Sequence, residues 1–164
     1  MSYPVLFFLA IIGLVLQSTL FNHLIIAGVK PDIILILALF YSIFQGPGRG
    51  GVFGFFLGLL EDIFLGRFIG MNALTKGLTS FVFGWIATGA FRENLLVPFL
   101  TLFVGTLFNE LIFLSLGKIM GLTWSWNLWL WKGIPLAIYN SCLVPFIYAR
   151  FYNWATQNDE TQAG

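Results

Sequence analysis

Apolar residues run along this chain in long unbroken stretches, and polar residues fall in short clusters between them. Unbroken runs differ from the strict alternation of an outer-membrane barrel strand, so they predict helices. The runs place six helices at 4–21, 33–44, 51–65, 71–91, 95–116 and 132–152. Pro31-Asp32 reads as a helix start, with proline suited to the first turn and an acid complementing the dipole. Gly46-Pro47-Gly48-Arg49-Gly50-Gly51 reads as a turn by composition. Further connections are Gly66-Arg67-Phe68-Ile69-Gly70, Arg92-Glu93-Asn94 and the long segment 117–131. The second and third helices are short for full spans, and a re-entrant hairpin is the alternative for that pair.

A helix that crosses a bilayer takes roughly 20 residues, so the chain has room for about six spans with short connections. The expected architecture is therefore an all-α, polytopic integral membrane protein of about six transmembrane helices. Residues 1–156 form one transmembrane domain and 157–164 a polar tail. The N-terminus is apolar at once and lacks a basic n-region and a small-residue cleavage site, so it is expected to stay as the first span.

Composition removes the alternatives. Of 164 residues, 59% are hydrophobic and only 9% charged, against roughly 25% in soluble domains. The mean hydropathy is +0.90. Nineteen phenylalanines and six tryptophans exceed what one soluble core of this size hides. Disorder needs the opposite composition. A net charge of +1 offers no field for nucleic acid. The one cysteine, Cys142, permits no internal disulfide and is expected to be a small buried apolar residue. No nucleophile–base pair, metal-ligand set or phosphate loop is present, so neither an enzyme nor a cofactor is expected. Arg49, Arg92 and Arg150 fall on one side of six spans, and Lys30, Arg67, Lys118 and Lys132 on the other, so basic residues do not set the orientation.

Charge inside a bilayer costs about 2.5–3.5 kcal/mol on insertion scales, so the few polar residues within the spans carry the chemistry. Asn72, Thr75, Lys76, Thr79 and Ser80 form one stripe of the fourth predicted helix. Glu61 and Asp62 end the third, Thr106, Asn109 and Glu110 share a face of the fifth, Asn140 and Ser141 lie in the sixth, and Gln17, Ser18 and Thr19 end the first. With six antiparallel crossings, all of these occupy the same half of the membrane. Two readings follow: an interhelical hydrogen-bond cluster, or a solvated pocket open to one side. Lys76 is expected to pair with Asp62, with Glu61 and Glu110 as the other candidates. The only histidine, His23, falls in a connection and argues against a proton relay.

Gly50, Gly54 and Gly58 recur every four residues and make a smooth seam, which lets another helix approach closely. Packing within the chain is one use; a homodimer or a docked membrane partner is the other. Trp124, Trp126, Trp129 and Trp131 crowd one connection, which is expected to lie along the membrane interface.

The order Pro31-Asp32, Gly46-Pro47, Gly58-Leu59 with Asp62, and Gly70 with Asn72-Ala73-Leu74 resembles the rod shape-determining protein MreD family of bacterial inner-membrane proteins. The resemblance implies a non-enzymatic component of the cell-elongation machinery, maintaining rod shape by scaffolding lateral peptidoglycan synthesis. It implies the partners MreC, MreB, RodA and RodA's transpeptidase, and cytoplasmic termini. It also implies a fold like the substrate-binding subunits of energy-coupling-factor vitamin transporters. A small-molecule-binding transporter subunit is therefore the alternative function. Against it, the first helix offers only Ala10 and Gly13 where such subunits carry an Ala-x-x-x-Ala seam.

Overall fold

The computed structural model describes residues 8, 11–15, 17, 28–66, 68–87, 96–127 and 129–147. Five α-helices follow in order: α1 (Ile33–Gln45), α2 (Pro47–Leu65), α3 (Met71–Ala87), α4 (Leu96–Ile119) and α5 (Ile134–Cys142). Residues 11–15 are also helical, and there is no β-strand among the described residues. Leu96–Ile119 and Trp129–Ile147 are long and apolar enough to cross a membrane. Much of 4–21, the turn at 92–94, His23 and the tail 157–164 lie outside the described residues.

Helix α1 is the centre of the fold. Ile34, Leu35, Ile36, Ala38, Leu39 and Phe40 have no solvent-accessible surface, so it is apolar all round. At 1.5 Å per residue its 13 residues rise only about 20 Å. Contacts with α2, α3 and α4 wrap it. Leu35, Ile36, Leu39 and Phe40 pack with Phe83 of α3, Leu102 of α4 and Val144. On another face, Ile34 and Ala38 meet Leu14 and Leu57.

A single residue, Gly46, separates α1 from α2. Its φ of 84° is open to glycine at little cost, and its N–H closes α1 on the Ser42 carbonyl at 2.9 Å. Pro47 then opens α2, where its missing N–H is not needed. The turn expected at 46–51 therefore shrinks to one residue, and the helix begins four residues earlier than composition suggests.

Among the described residues, helices α2 and α3 share the most extensive contact, and glycine makes it close. A Cβ at Gly54 would lie 2.7 Å from the Lys76 carbonyl oxygen, and one at Gly58 would lie 2.7 Å from Ala73 Cα. A Cβ at Gly84, on the facing helix, would lie 3.0 Å from Pro47 Cα.

The segment expected to be one connection at 117–131 is partly helical. Helix α4 runs on to Ile119, and Trp129–Gly133 form a π-helical turn leading into α5. The wide turn lies immediately before Pro135, which has no N–H to bond the Trp131 carbonyl. Trp124 stacks on Phe113 with ring centroids 5.6 Å apart, and Trp129 Nε1 donates to the Leu107 carbonyl at 3.0 Å. The segment folds back onto α4, while Trp126 and Trp131 remain exposed.

Large apolar side chains cover much of the outer surface, including Val52, Phe56, Ile63, Trp85 and Phe146. Lipid is the solvent that makes such a surface stable. Cys142 is exposed on this outer face, not buried as its small apolar character suggests.

A buried polar centre as the candidate functional site

The polar centre is built around Lys76, whose side chain is 1% exposed. Its Nζ lies 2.8 Å from Asp32 Oδ2 and 2.8 Å from Glu61 Oε2, and it donates to Asn72 Oδ1 at 3.2 Å. The ammonium thus joins the start of α1, the end of α2 and its own helix α3. An uncompensated ammonium at this depth would be costly, and two carboxylates flank it.

Asp32 has a double task. Its Oδ1 caps α1 by accepting from the Leu35 N–H at 2.8 Å, while its Oδ2 faces Lys76. The Asp32 backbone N–H donates to Asn140 Oδ1 at 3.0 Å, and Asn140 Nδ2 donates to Thr106 Oγ1 at 3.1 Å. That chain of bonds ties α1 to α5 and α4. Gln17 Nε2 donates to Glu61 Oε1 at 3.1 Å and ties in the N-terminal helical stretch.

Asp62 does not pair with Lys76, contrary to the expectation. It accepts from the backbone N–H groups of Gly70 (2.9 Å), Asn72 (3.2 Å) and Ala73 (3.1 Å), and from Asn72 Nδ2 (2.8 Å). These include donors that the first turn of a helix leaves unbonded, and the dipole there favours an anion. One carboxylate therefore caps α3, while its sequence neighbour Glu61 meets the ammonium. Side chains 100° apart on a helix point in different directions, and the seam extrapolated from the glycines pointed to the wrong one.

The remaining expected members are placed as follows. Thr75 is buried and donates to the Asn72 carbonyl at 3.1 Å. Asn72 links Asp62 to Lys76. Asn109 is buried, and its Oδ1 has no hydrogen-bond partner among the described residues. Glu110 forms no ion pair with Lys76; its Cβ lies 3.8 Å from the place where a Gly133 Cβ would stand. Sequence reasoning assigned Asp32 to a helix start and to the family motif, and to no ion pair. Its place next to proline, at the mouth of an apolar run, gave no sign of a cationic partner.

The glycine seam is filled from within. Gly50 abuts Ser42 of α1, while Gly54 and Gly58 abut α3, so these positions are not open to a second copy or to a partner helix. The turn glycines serve geometry: Gly70 has a φ of 99° and offers its N–H to Asp62.

Compared with known families, the chain matches the model described as rod shape-determining protein MreD over residues 1–154. No curated protein and no solved structure matches it.

Proposed function

The chain belongs to the MreD family of rod shape-determining proteins, and from that premise we propose that it is a non-enzymatic scaffold of the bacterial cell-elongation machinery. In this reading it sits in the inner membrane beside an MreC-type single-span protein and helps direct lateral peptidoglycan synthesis by MreB, RodA and RodA's transpeptidase. The observation that carries the proposal is the family match, which spans nearly the whole chain. The use of the motif residues agrees with it. Asp32, Asp62 and Asn72 spend their polar atoms on other parts of the same chain, as a scaffold's fastenings do.

A vitamin-type transporter subunit needs polar side chains that turn toward a ligand. Lys76, Asp32, Glu61, Asn72 and Asn140 turn toward one another instead. Depletion of the protein tests the reading in cells. Rods should become round, and the detergent-solubilised protein should bring down a single-span, coiled-coil-bearing partner. Depleted cells of normal width and length would overturn the proposal, as would recovery with an ATPase pair.

A further inference from the structure

Two apolar grooves flank the outward ridge of α2. One, of about 770 Å³, runs between α2 and α3 to the far part of α4, with Phe55, Leu78, Phe81 and Leu116 among its walls. The other, of about 530 Å³, lies on the side of α1, where the rings of Tyr41 and Phe53, in contact with centroids 4.3 Å apart, form part of its wall. The grooves share Gly48, Val52 and Phe56, which follow at four-residue intervals and so form one line along α2. That line descends about 12 Å from its upper end at Gly48. Among the described residues no acid lines either groove, and the one charged residue is Arg49, in the wall of the second groove beside the shared Gly48.

Arg49 is exposed and among the described residues gives one hydrogen bond, at 3.3 Å, to Gln45 Oε1. A guanidinium has five N–H donors, so it retains the fork that suits a phosphate. Gly48 leaves open space beside it, with nothing within 4 Å of where a Cβ would stand. Two apolar grooves side by side, with a cation lining one of them beside their shared first residue, match one kind of molecule in the surroundings. We infer that this face of α2 is a binding site for a two-chain anionic glycerophospholipid of the membrane, with its phosphate on Arg49 and one acyl chain in each groove. Basic residues at the ends of membrane helices recognise anionic headgroups by this chemistry. The apolar walls, by contrast, do not distinguish one headgroup from another.

The test uses the full chain, purified in detergent, exchanged free of native lipid and incubated with equal amounts of phosphatidylglycerol and phosphatidylcholine of the same chain length. Bound lipid is counted by native mass spectrometry. The wild type should retain phosphatidylglycerol in preference. Arg49→Gln should reduce that preference about fivefold, the value of one basic residue near an anionic surface, and Arg49→Lys should keep most of it. Val52→Trp should block the junction of the grooves and reduce both lipids; at 60% exposed, Val52 tolerates the change without refolding the core. Equal retention of the two lipids by the wild type would overturn the inference. So would an unchanged preference in Arg49→Gln. A polypeptide that occupies the face and is lost in Val52→Trp but kept in Arg49→Gln would overturn it in favour of helix docking.

Discussion

Lys76 Nζ and Asp32 Oδ2 stand 2.8 Å apart, joining the second turn of α3 to the residue that caps α1. Because α1 is enclosed by its neighbours, this bond fixes the central helix in register with the hairpin around it. Lys76→Leu would leave Asp32 and Glu61 buried without their cation, at a cost of about 3–5 kcal/mol. Adding Asp32→Asn should recover part of that loss, whereas adding Asp62→Asn should recover none. Thermal unfolding of the single and double variants in detergent measures this. Strict additivity for Lys76 and Asp32 would disprove their coupling.

Asp62 acts as the cap of α3, so its loss should be felt independently of Lys76. Asp62→Asn keeps one acceptor oxygen but turns an amide toward backbone donors. A cap lost in this way costs about 0.5–2 kcal/mol. The start of α3 should then exchange its amide hydrogens faster than α4 does. Uniform exchange across both helices would show that the cap is dispensable.

The contact of α2 with α3 predicts a graded steric effect. Gly58→Ala places a methyl against Asn72 and Ala73, and should cost about 1–3 kcal/mol by overpacking. Gly58→Leu should prevent folding. Gly48→Ala, with open space around it, should leave the melting temperature unchanged. Equal behaviour of Gly48→Ala and Gly58→Ala in a thermal melt would contradict the close approach.

Asn140 holds two bonds that link three helices. Asn140→Leu would strip the Asp32 N–H of its partner, and a buried donor left alone costs about 1–3 kcal/mol. Thr106→Val removes only the outer bond and should cost less. Denaturant titrations rank the two variants; a larger loss in Thr106→Val would place the strain elsewhere.

Cys142 lies on the outer face, so Cys142→Ala should change stability by no more than about 0.5 kcal/mol. A large drop in melting temperature would show that the thiol is packed.

Much of this protein is determined by local rules. Unbroken apolar runs set an all-helical membrane protein, because a bilayer admits helices whose backbone groups are bonded internally. Gly66, with its φ of 66°, and Pro47 set helix ends, because their backbone limits act on single residues. The stripe from Asn72 to Ser80 was legible from spacing alone, and so was the regular recurrence of Gly50, Gly54 and Gly58. Contact across the fold is not local. Glu61 and Asp62 are neighbours of the same charge, and only the rotation of α2 against α3 decides that one meets Lys76 while the other caps a helix. Asp32 becomes a partner of Lys76 because α1 is drawn into the centre, which no residue near it announces. The seam glycines are spent inside the chain for the same reason: spacing reveals a smooth face, and only the packed helices reveal what lies against it.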